Sequence, residues 1–339
     1  MEYRYIGKSG LRVTPICMGT MSFGSWSDKK ESLKILDTAY ERGINFFDTA
    51  ELYPVPPRED YAGLTEEIVG EWLKTKPRES IILASKVAGA ANGWFVPPIR
   101  HGLTAIDSFH IQKAIEGSLK RLGTDYIDLY QVHWPDEIIP KEESQRAMDK
   151  LIKEGKVRYI GTSNDTAYGL TKSNTIAHYE KLARFESIQN NFSLLNPRFL
   201  DELSNVCFKE SVSLLAYSPI GGGMLSGKYN QSFIDPKTRF GEYLNAIEPR
   251  QKAMYSRFVN DKTIRATAQY VEIAKKYGMS PVTLAVAWTM HFYCVASTII
   301  GARYATQLEE SFKALEVKLS PEILNECERV QKEILYPMG

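Results

Sequence analysis

The chain has 339 residues, 43% of them hydrophobic and 24% charged, which is enough apolar material for one large domain or two ordinary ones. Its 42 Lys and Arg nearly balance 41 Asp and Glu, and the net charge of +1 gives no basic excess that would point to nucleic acid and no acidic excess that would point to disorder. No apolar run reaches the ~18 residues of a membrane-crossing helix, and the opening MEYRYIGKSG has neither the apolar core nor the cleavage site of a signal peptide. The expected location is therefore the cytoplasm. Cys17, Cys207, Cys294 and Cys327 lie far apart with no CxxC pair, so free thiols are expected rather than a zinc ribbon or redox dithiol.

In chain order, Glu2 to Ile6 and Leu11 to Val13 flank Gly7-Lys8-Ser9-Gly10 and predict a small hairpin. Ile16 to Gly19 is a short apolar strand candidate. Asp28 to Arg42 predicts a helix, with Asp28 and Glu31 at capping-box spacing and Gly43 just past its end. Asn45 to Asp48 is the next strand. Thr65 to Lys74 predicts a helix with Glu66 and Glu67 in the first turn, where the helix dipole favours acids. Strands at Ser80 to Lys86 and Tyr126 to His133 are followed by helices at Ser108 to Leu122 and Lys141 to Glu154. Val157 to Thr162, Glu186 to Gln189, Ser213 to Ser218 and Val295 to Gly301 complete the strand candidates. Ser280-Pro281 and Ser320-Pro321 each place a proline at the first helical position after a capping serine.

Eight strand candidates alternating with helices imply parallel strands joined by crossover helices. The expected fold class is α/β, a (β/α)8 TIM barrel of about 250 residues plus insertions. The whole chain, 1–339, is read as one such domain, with an N-terminal hairpin and long loops at the C-terminal face. The rival is an open, doubly wound sheet. A dinucleotide-binding version would carry G-x-G-x-x-G after its first strand, and Gly19-Thr20-Met21-Ser22-Phe23-Gly24 has the wrong spacing. Two stretches break the rhythm, about 87–107 and 220–260, and loops of that length usually serve as lids or binding loops.

In such a barrel the chemistry sits at the C-terminal ends of the strands. There the sequence places Asp48, with Tyr53 in the following loop, then Lys86, His133, Ser163-Asn164, Gln189-Asn190 and Tyr217-Ser218. Singly, each has a plain packing or capping explanation. Jointly, four ionisable groups on three consecutive strands converge on one spot. A phenol with a pKa near ~10 is a poor acid at neutral pH, and an adjacent ammonium is expected to lower it. Lys86 supplies that charge and Asp48 holds it. Tyr53 then donates a proton to an oxygen that His133 orients, which suits carbonyl reduction with hydride from a cofactor.

These residues sit in GINFFDTAELY, Ser85-Lys86, LGTDYIDLYQVHWPD, YIGTSN, QNNFSLL, LLAYSPIGGGMLSGKY and IIGARYATQLEES. By that set and its order the chain resembles the aldo-keto reductases over essentially its whole length. YPVPPR and the C-terminal ILYP are most similar to the bacterial Tas-like branch. The resemblance implies the barrel and a catalytic tetrad of Asp48, Tyr53, Lys86 and His133. It also implies NADPH/NADP+ as cofactor, held without a Rossmann fold. Ser163, Asn164 and Gln189 match the carboxamide contacts, and Tyr217 the aromatic stacked on the nicotinamide. Ser218, Pro219, Ile220, Gly221 and Leu225 match the pyrophosphate loop, continued by Lys228 and Arg239. Gly19, Thr20 and Asp48 are expected beside the cofactor on the barrel side. Gly301, Arg303, Gln307, Glu310 and Ser311 match the adenosine end, although the family often has Asn at the place of Ser311. Basic residues there suit a 2′-phosphate.

The substrate is expected to be a small-molecule carbonyl compound, apolar or aromatic, in a pocket formed by Trp26, the Trp94-Phe95 loop and Trp134. No metal, nucleic acid or membrane partner is expected, and the sequence does not give the oligomeric state. Two rivals share the fold: a cofactor-binding redox sensor with little turnover, and a Schiff-base aldolase using Lys86.

Overall fold

A computed structural model describes residues 2–92, 95–230 and 234–338. The chain opens with an antiparallel hairpin of β1 (Arg4–Tyr5) and β2 (Arg12–Val13). Eight parallel strands follow: β3 (Ile16–Gly19), β4 (Phe46–Asp48), β5 (Ile82–Val87), β6 (Ile127–Val132), β7 (Val157–Ser163), β8 (Phe185–Asn191), β9 (Ser213–Tyr217) and β10 (Val295–Ile300). Each pairs with the next in the chain, and β10 closes on β3 with Thr298, Ile299 and Ile300 opposite Ile16, Cys17 and Met18. The fold is the expected TIM barrel with an N-terminal hairpin.

The strands read as short apolar runs because both of their faces are buried. Cys17, Phe46, Ala84, Leu129 and Leu215 fill the barrel interior together with Ile6, Leu11 and Val13 of the hairpin. The hairpin thus plugs the N-terminal end. Its backbone is anchored there: Gly7 N donates to Ser213 Oγ at 2.9 Å, Lys8 N to Glu186 Oε2 at 2.7 Å and Gly10 N to Tyr159 Oη at 3.0 Å.

The helices are α1 (Lys29–Glu41), α2 (Leu64–Leu73), α3 (Ser108–Leu122), α4 (Lys141–Lys153), α5 (Ala167–Glu180), α6 (Leu203–Glu210), α7 (Arg239–Leu244), α8 (Pro249–Phe258), α9 (Asp261–Lys276), α10 (Pro281–Met290), α11 (Leu308–Lys313) and α12 (Pro321–Glu333). Asp28 caps α1 as expected, accepting from Glu31 N at 2.8 Å. The capping box does not close by that route, because the Glu31 carboxylate instead accepts from Ala305 N at 2.7 Å. Glu66 lies in the first turn of α2, as expected, and does more there: it is fully buried, accepting from Ser85 Oγ at 2.6 Å and from Arg121 Nε at 2.8 Å, so it also ties α2 to β5 and α3.

The 220–260 stretch is not an open loop. It holds a 3-10 segment at Gly221–Ser226, then α7 and α8. Thr238 caps α7, Pro249 opens α8, and the Phe240 and Phe258 rings pack 5.1 Å apart. Helices this short show no sustained period in sequence, and their apolar faces are defined by packing on each other. Among the described residues, 87–107 holds only the 3-10 turn Arg100–Gly102.

Candidate active site

Phe46, Ala84 and Leu129 face the barrel interior. Strand side chains alternate, so Asp48, Lys86 and Gln131, two residues further along β4, β5 and β6, face inward as well, at the C-terminal end. Lys86 is fully buried and Asp48 is 2% exposed. An isolated ammonium would be prohibitively costly there, and the site meets that cost with partners. Lys86 Nζ donates to Asp48 Oδ1 at 2.5 Å, to Thr49 O at 2.8 Å and to Tyr53 Oη at 3.4 Å. Its charge lies 4.9 Å from the centroid of the Tyr53 ring. The His133 ring stands edge-on to Tyr53 with centroids 5.6 Å apart. The four strand-end groups picked from the sequence therefore do converge.

Their electrostatics follow from burial and proximity. Burial works against the Lys86 ammonium, but Asp48 outweighs it and the pKa lies above the ordinary lysine value. Burial and then the Lys86 charge push His133 well below its usual value, so its imidazole is neutral at pH 7. His133 Nδ1 is enclosed and makes no hydrogen bond within the protein. Tyr53 corrects the sequence expectation: burial raises its pKa, and the opposing pull of Lys86 does not bring it below the ordinary phenol value. A desolvated phenolate is disfavoured more strongly than one ammonium at 3.4 Å favours it.

The second oxygen of Asp48 is also used. Gln131 Nε2 donates to Oδ2 at 3.1 Å and Gln189 Nε2 at 2.9 Å, and the two amides are linked by a 3.2 Å hydrogen bond. Gln131 was missed from sequence. Its signal was available, since it stands two residues before His133 on the same strand and so on the same face. Gln189, read as a cofactor contact, spends its amide on Asp48 and Gln131.

Around this cluster the strand ends carry unusual backbone. Asn164 (φ 53°) and Ser218 (φ 55°) are left-handed non-glycine residues just past β7 and β9, a conformation that costs on the order of 1–2 kcal/mol. Asn164 is held there by three contacts: Nδ2 to His133 O at 2.9 Å, Nδ2 to Ser163 Oγ at 3.2 Å, and Oδ1 accepting from Tyr217 Oη at 2.7 Å. Ser163 Oγ donates to Gln189 O at 2.7 Å. Burial raises the Tyr217 phenol to about 12. Ser218 O accepts from Gly221 N at 2.9 Å, and Ile220 O from Leu225 N at 3.1 Å, which folds Pro219 and the glycines into a tight turn. Gly221, Gly222 and Gly223 all have positive φ, which a side-chain-bearing residue would adopt only with strain.

A second group lies outside the tetrad. Trp26 Nε1 donates to Glu242 Oε2 at 2.7 Å, and Arg303 Nη1 lies 3.5 Å from Glu242 Oε1. The Arg239 guanidinium sits 5.1 Å from the centroid of the Trp26 ring. Trp26, expected in a substrate pocket, is thus joined to α7 and to the segment after β10. Arg239 Nε and Arg303 Nε are both enclosed and without a hydrogen-bond partner. Gln307 Oε1 accepts from Arg303 N at 2.9 Å and fixes that turn. A Cβ at Gly301 would meet nothing within 4 Å. Glu310 offers its backbone oxygen to Thr283, Ser311 is buried in α11, and Lys228 is exposed with Nζ 5.0 Å from the centroid of the Tyr229 ring. Gly19 has a packing reason of its own, since a Cβ would come within 2.7 Å of Ile299 Cγ2. Thr20 Oγ1 donates to Asp48 O at 2.9 Å.

Trp134 extends the aromatic face from His133, with ring centroids 5.0 Å apart, and its Nε1 donates to Ala90 O at 2.9 Å. Phe95 follows at 5.9 Å from Trp134. Trp94 lies outside the described residues. Glu242 was not singled out from sequence, because only the packing of a distant loop brings it to Trp26.

Residues 15–332 match the Aldo/keto reductase family. Protein tas of Escherichia coli is 38% identical, with 99% of both chains covered. The versiconal hemiacetal acetate reductase of Aspergillus parasiticus is 31% identical over 95% of this chain and 94% of its own. A probable voltage-gated potassium channel subunit beta of rice, Oryza sativa, is 32% identical over 97% and 96%. A closed barrel carrying Asp48, Lys86, Tyr53 and His133 in contact at its mouth, on a chain matched almost end to end by these relatives, belongs to the aldo/keto reductase family, in its Tas-like branch.

Proposed function

We propose that the chain, as one domain over residues 1–339, reduces aldehydes or ketones to alcohols with NADPH as hydride donor and Tyr53 as proton donor. The observation that carries this is the buried Lys86, held between Asp48 and the Tyr53 hydroxyl at the barrel mouth. When bound, NADPH supplies the hydride that goes to the carbonyl carbon. Tyr53 gives its proton to the carbonyl oxygen as negative charge develops there. Its raised pKa keeps the hydroxyl protonated throughout the neutral range. Lys86 stabilises the phenolate left behind, at 3.4 Å and across the ring face. Neutral His133 contributes an N–H donor that orients the substrate oxygen. Asp48, braced by Gln131 and Gln189, fixes Lys86. A lysine held charged by Asp48 is a poor Schiff-base nucleophile, which argues against the aldolase reading.

The residues fit the cofactor. Asn164 and Tyr217 would hold its nicotinamide side and Ser218 its pyrophosphate, where the glycine turn at 221–223 lets backbone approach closely. Arg239 and Arg303, each with an enclosed and unspent Nε, suit a phosphate-bearing ligand, and Gly301 leaves open space beside them.

The deciding experiment titrates the purified protein with NADPH and NADH by fluorescence, then follows NADPH oxidation with a panel of aldehydes. Tight NADPH binding with turnover is the expected result. Binding without turnover would favour a regulatory role such as the name of the channel-subunit relative suggests. Absence of binding would remove the reading. Arg303→Ala should weaken NADPH about tenfold and NADH little, since a charge-assisted phosphate contact is worth about 1.5–3 kcal/mol. Equal losses would remove Arg303 from the 2′-phosphate site.

A further inference from the structure

Two residues before Tyr53, Glu51 forms an ion pair that the reaction outlined above does not use. Glu51, 4% exposed, accepts both prongs of the Arg100 guanidinium: Nη1 to Oε2 at 2.6 Å and Nη2 to Oε1 at 2.8 Å. Glu51 Oε1 also accepts from Ala88 N at 2.7 Å, and Glu51 N donates to Lys86 O at 3.3 Å. One carboxylate therefore gathers three things: the loop carrying Tyr53, the Ala88 amide just past Lys86, and Arg100 further along the same segment.

Arg100 is held in a costly conformation. Arg100 (φ 49°) and His101 (φ 55°) are consecutive left-handed non-glycine residues, followed by Gly102 at φ 75°. Such strain persists only where the surroundings over-determine it. The segment between is pinned from its other side, with Thr104 Oγ1 donating to Gly89 O at 2.7 Å and Trp134 Nε1 to Ala90 O. A side chain at Gly89 would collide with Trp134 at 2.4 Å. On this segment Asn92 and Phe95 pair through two backbone hydrogen bonds, which sets the Phe95 ring beside Trp134 and so next in line from His133.

We propose that the Glu51–Arg100 pair is a clamp that positions Phe95 beside Trp134 as one wall of the carbonyl-binding mouth, making both residues positioning residues for bulky aromatic carbonyl substrates. The proposal rests on the reductase reading for its kinetic consequence, but the clamp itself is read independently. Small aldehydes reach Tyr53 and His133 without touching the wall. Aromatic aldehydes stack against Phe95 and Trp134 and need it in place.

The test compares Arg100→Gln and Arg100→Lys with the unaltered protein, using propanal, 2-naphthaldehyde and NADPH. For Arg100→Gln, KM for 2-naphthaldehyde should rise about tenfold, while kcat, KM for propanal and the NADPH Kd stay within about twofold. Arg100→Lys keeps the charge but loses the fork, and should recover part of the loss. Hydrogen exchange at the Ala88 amide should speed up in Arg100→Gln, a readout that needs no turnover and separates failure of the clamp from failure of the reductase reading. If Arg100→Gln does not fold, Glu51→Gln/Arg100→Met removes both charges together and is measured the same way. Equal KM changes for both aldehydes, a parallel loss of NADPH affinity, or unchanged Ala88 exchange in a folded variant would overturn the proposal.

Discussion

Two buried aspartates on neighbouring parts of the same barrel show how differently one residue type can be used. Asp128 lies near the start of β6 and Asp48 at the end of β4. Asp128 accepts from Leu83 N at 3.0 Å, from Arg78 at 2.7 Å and from Arg158 at 2.5 Å. Those arginines keep 17% and 46% of their side chains exposed. Asp48 is matched by a lysine with no exposure, and that lysine is in turn aimed at a phenol. The Asp128 group ends in solvent and its bonds are closed, so it works as a strut. The Asp48 group ends at the barrel mouth, where His133 Nδ1 and Thr49 Oγ1 still lack partners.

That contrast can be broken most severely at Tyr53. Tyr53→Phe should lose at least a hundredfold in carbonyl reduction, within the ~10²–10⁴ range of general acid catalysis, and keep its melting temperature and NADPH affinity. A near-normal rate in that variant would move the proton donor elsewhere.

The two aspartates give the next largest effect, in opposite observables. Asp128→Ala leaves two partly solvated arginines facing each other and orphans the Leu83 amide, and should cost ~1–3 kcal/mol of stability in denaturant unfolding, with kcat of the folded enzyme unchanged. Asp48→Asn should depress kcat far more than it lowers the unfolding midpoint. If both variants lose stability and rate in proportion, the distinction between strut and reactive group fails.

A smaller effect belongs to Gln131. Gln131→Leu removes one hydrogen bond to Asp48 and the acceptor of Gln189, and a bond to a charged group is worth about 1.5–3 kcal/mol. Turnover should fall about tenfold with little change in KM. An unchanged kcat would reduce Gln131 to filler.

The smallest effect is seen in the pH dependence of stability. His133 is neutral when folded because burial and then Lys86 depress its pKa. Unfolding releases it to an ordinary value of ~6.5, so the unfolded chain binds the extra proton below that pH. The contribution is fully present above pH ~6.5 and is lost as pH falls below it, at up to ~1.4 kcal/mol per pH unit. His133→Asn should therefore lose less stability than the unaltered protein between pH 7 and pH 5 in chemical denaturation. Parallel pH profiles would mean that His133 takes up its proton equally in the folded and unfolded chain, and its depressed pKa would be withdrawn.

Much of the architecture was legible beforehand because it is written in local patterns. The strands are short apolar runs, the helices open on Asp28, Ser280 or Ser320, and the hairpin follows from Gly7 and Gly10. The tetrad was legible because a charged or polar residue closing an apolar run is conspicuous at Asp48, Lys86 and His133. Glu66 was placed in the first turn of its helix by the same local logic, but its ion pair was not legible, since a helix-start acid and a buried ion-pair acid look alike until α3 brings Arg121 alongside. Short α7 and α8 escaped because six and ten residues give too little periodicity.

The sequence by itself determined the barrel, its N-terminal hairpin and the four residues whose types suit proton transfer to a carbonyl oxygen, because alternation and strand ends are properties of adjacent residues. Only the tertiary structure decided how those groups are tuned. Gln131 and Gln189 meet Asp48 across 83 and 141 positions, Glu51 meets Arg100 across 49, and Tyr53 is pushed up rather than down. Desolvation and pairing depend on what surrounds a group in space, and barrel closure sets those surroundings by joining strands that are far apart in the chain.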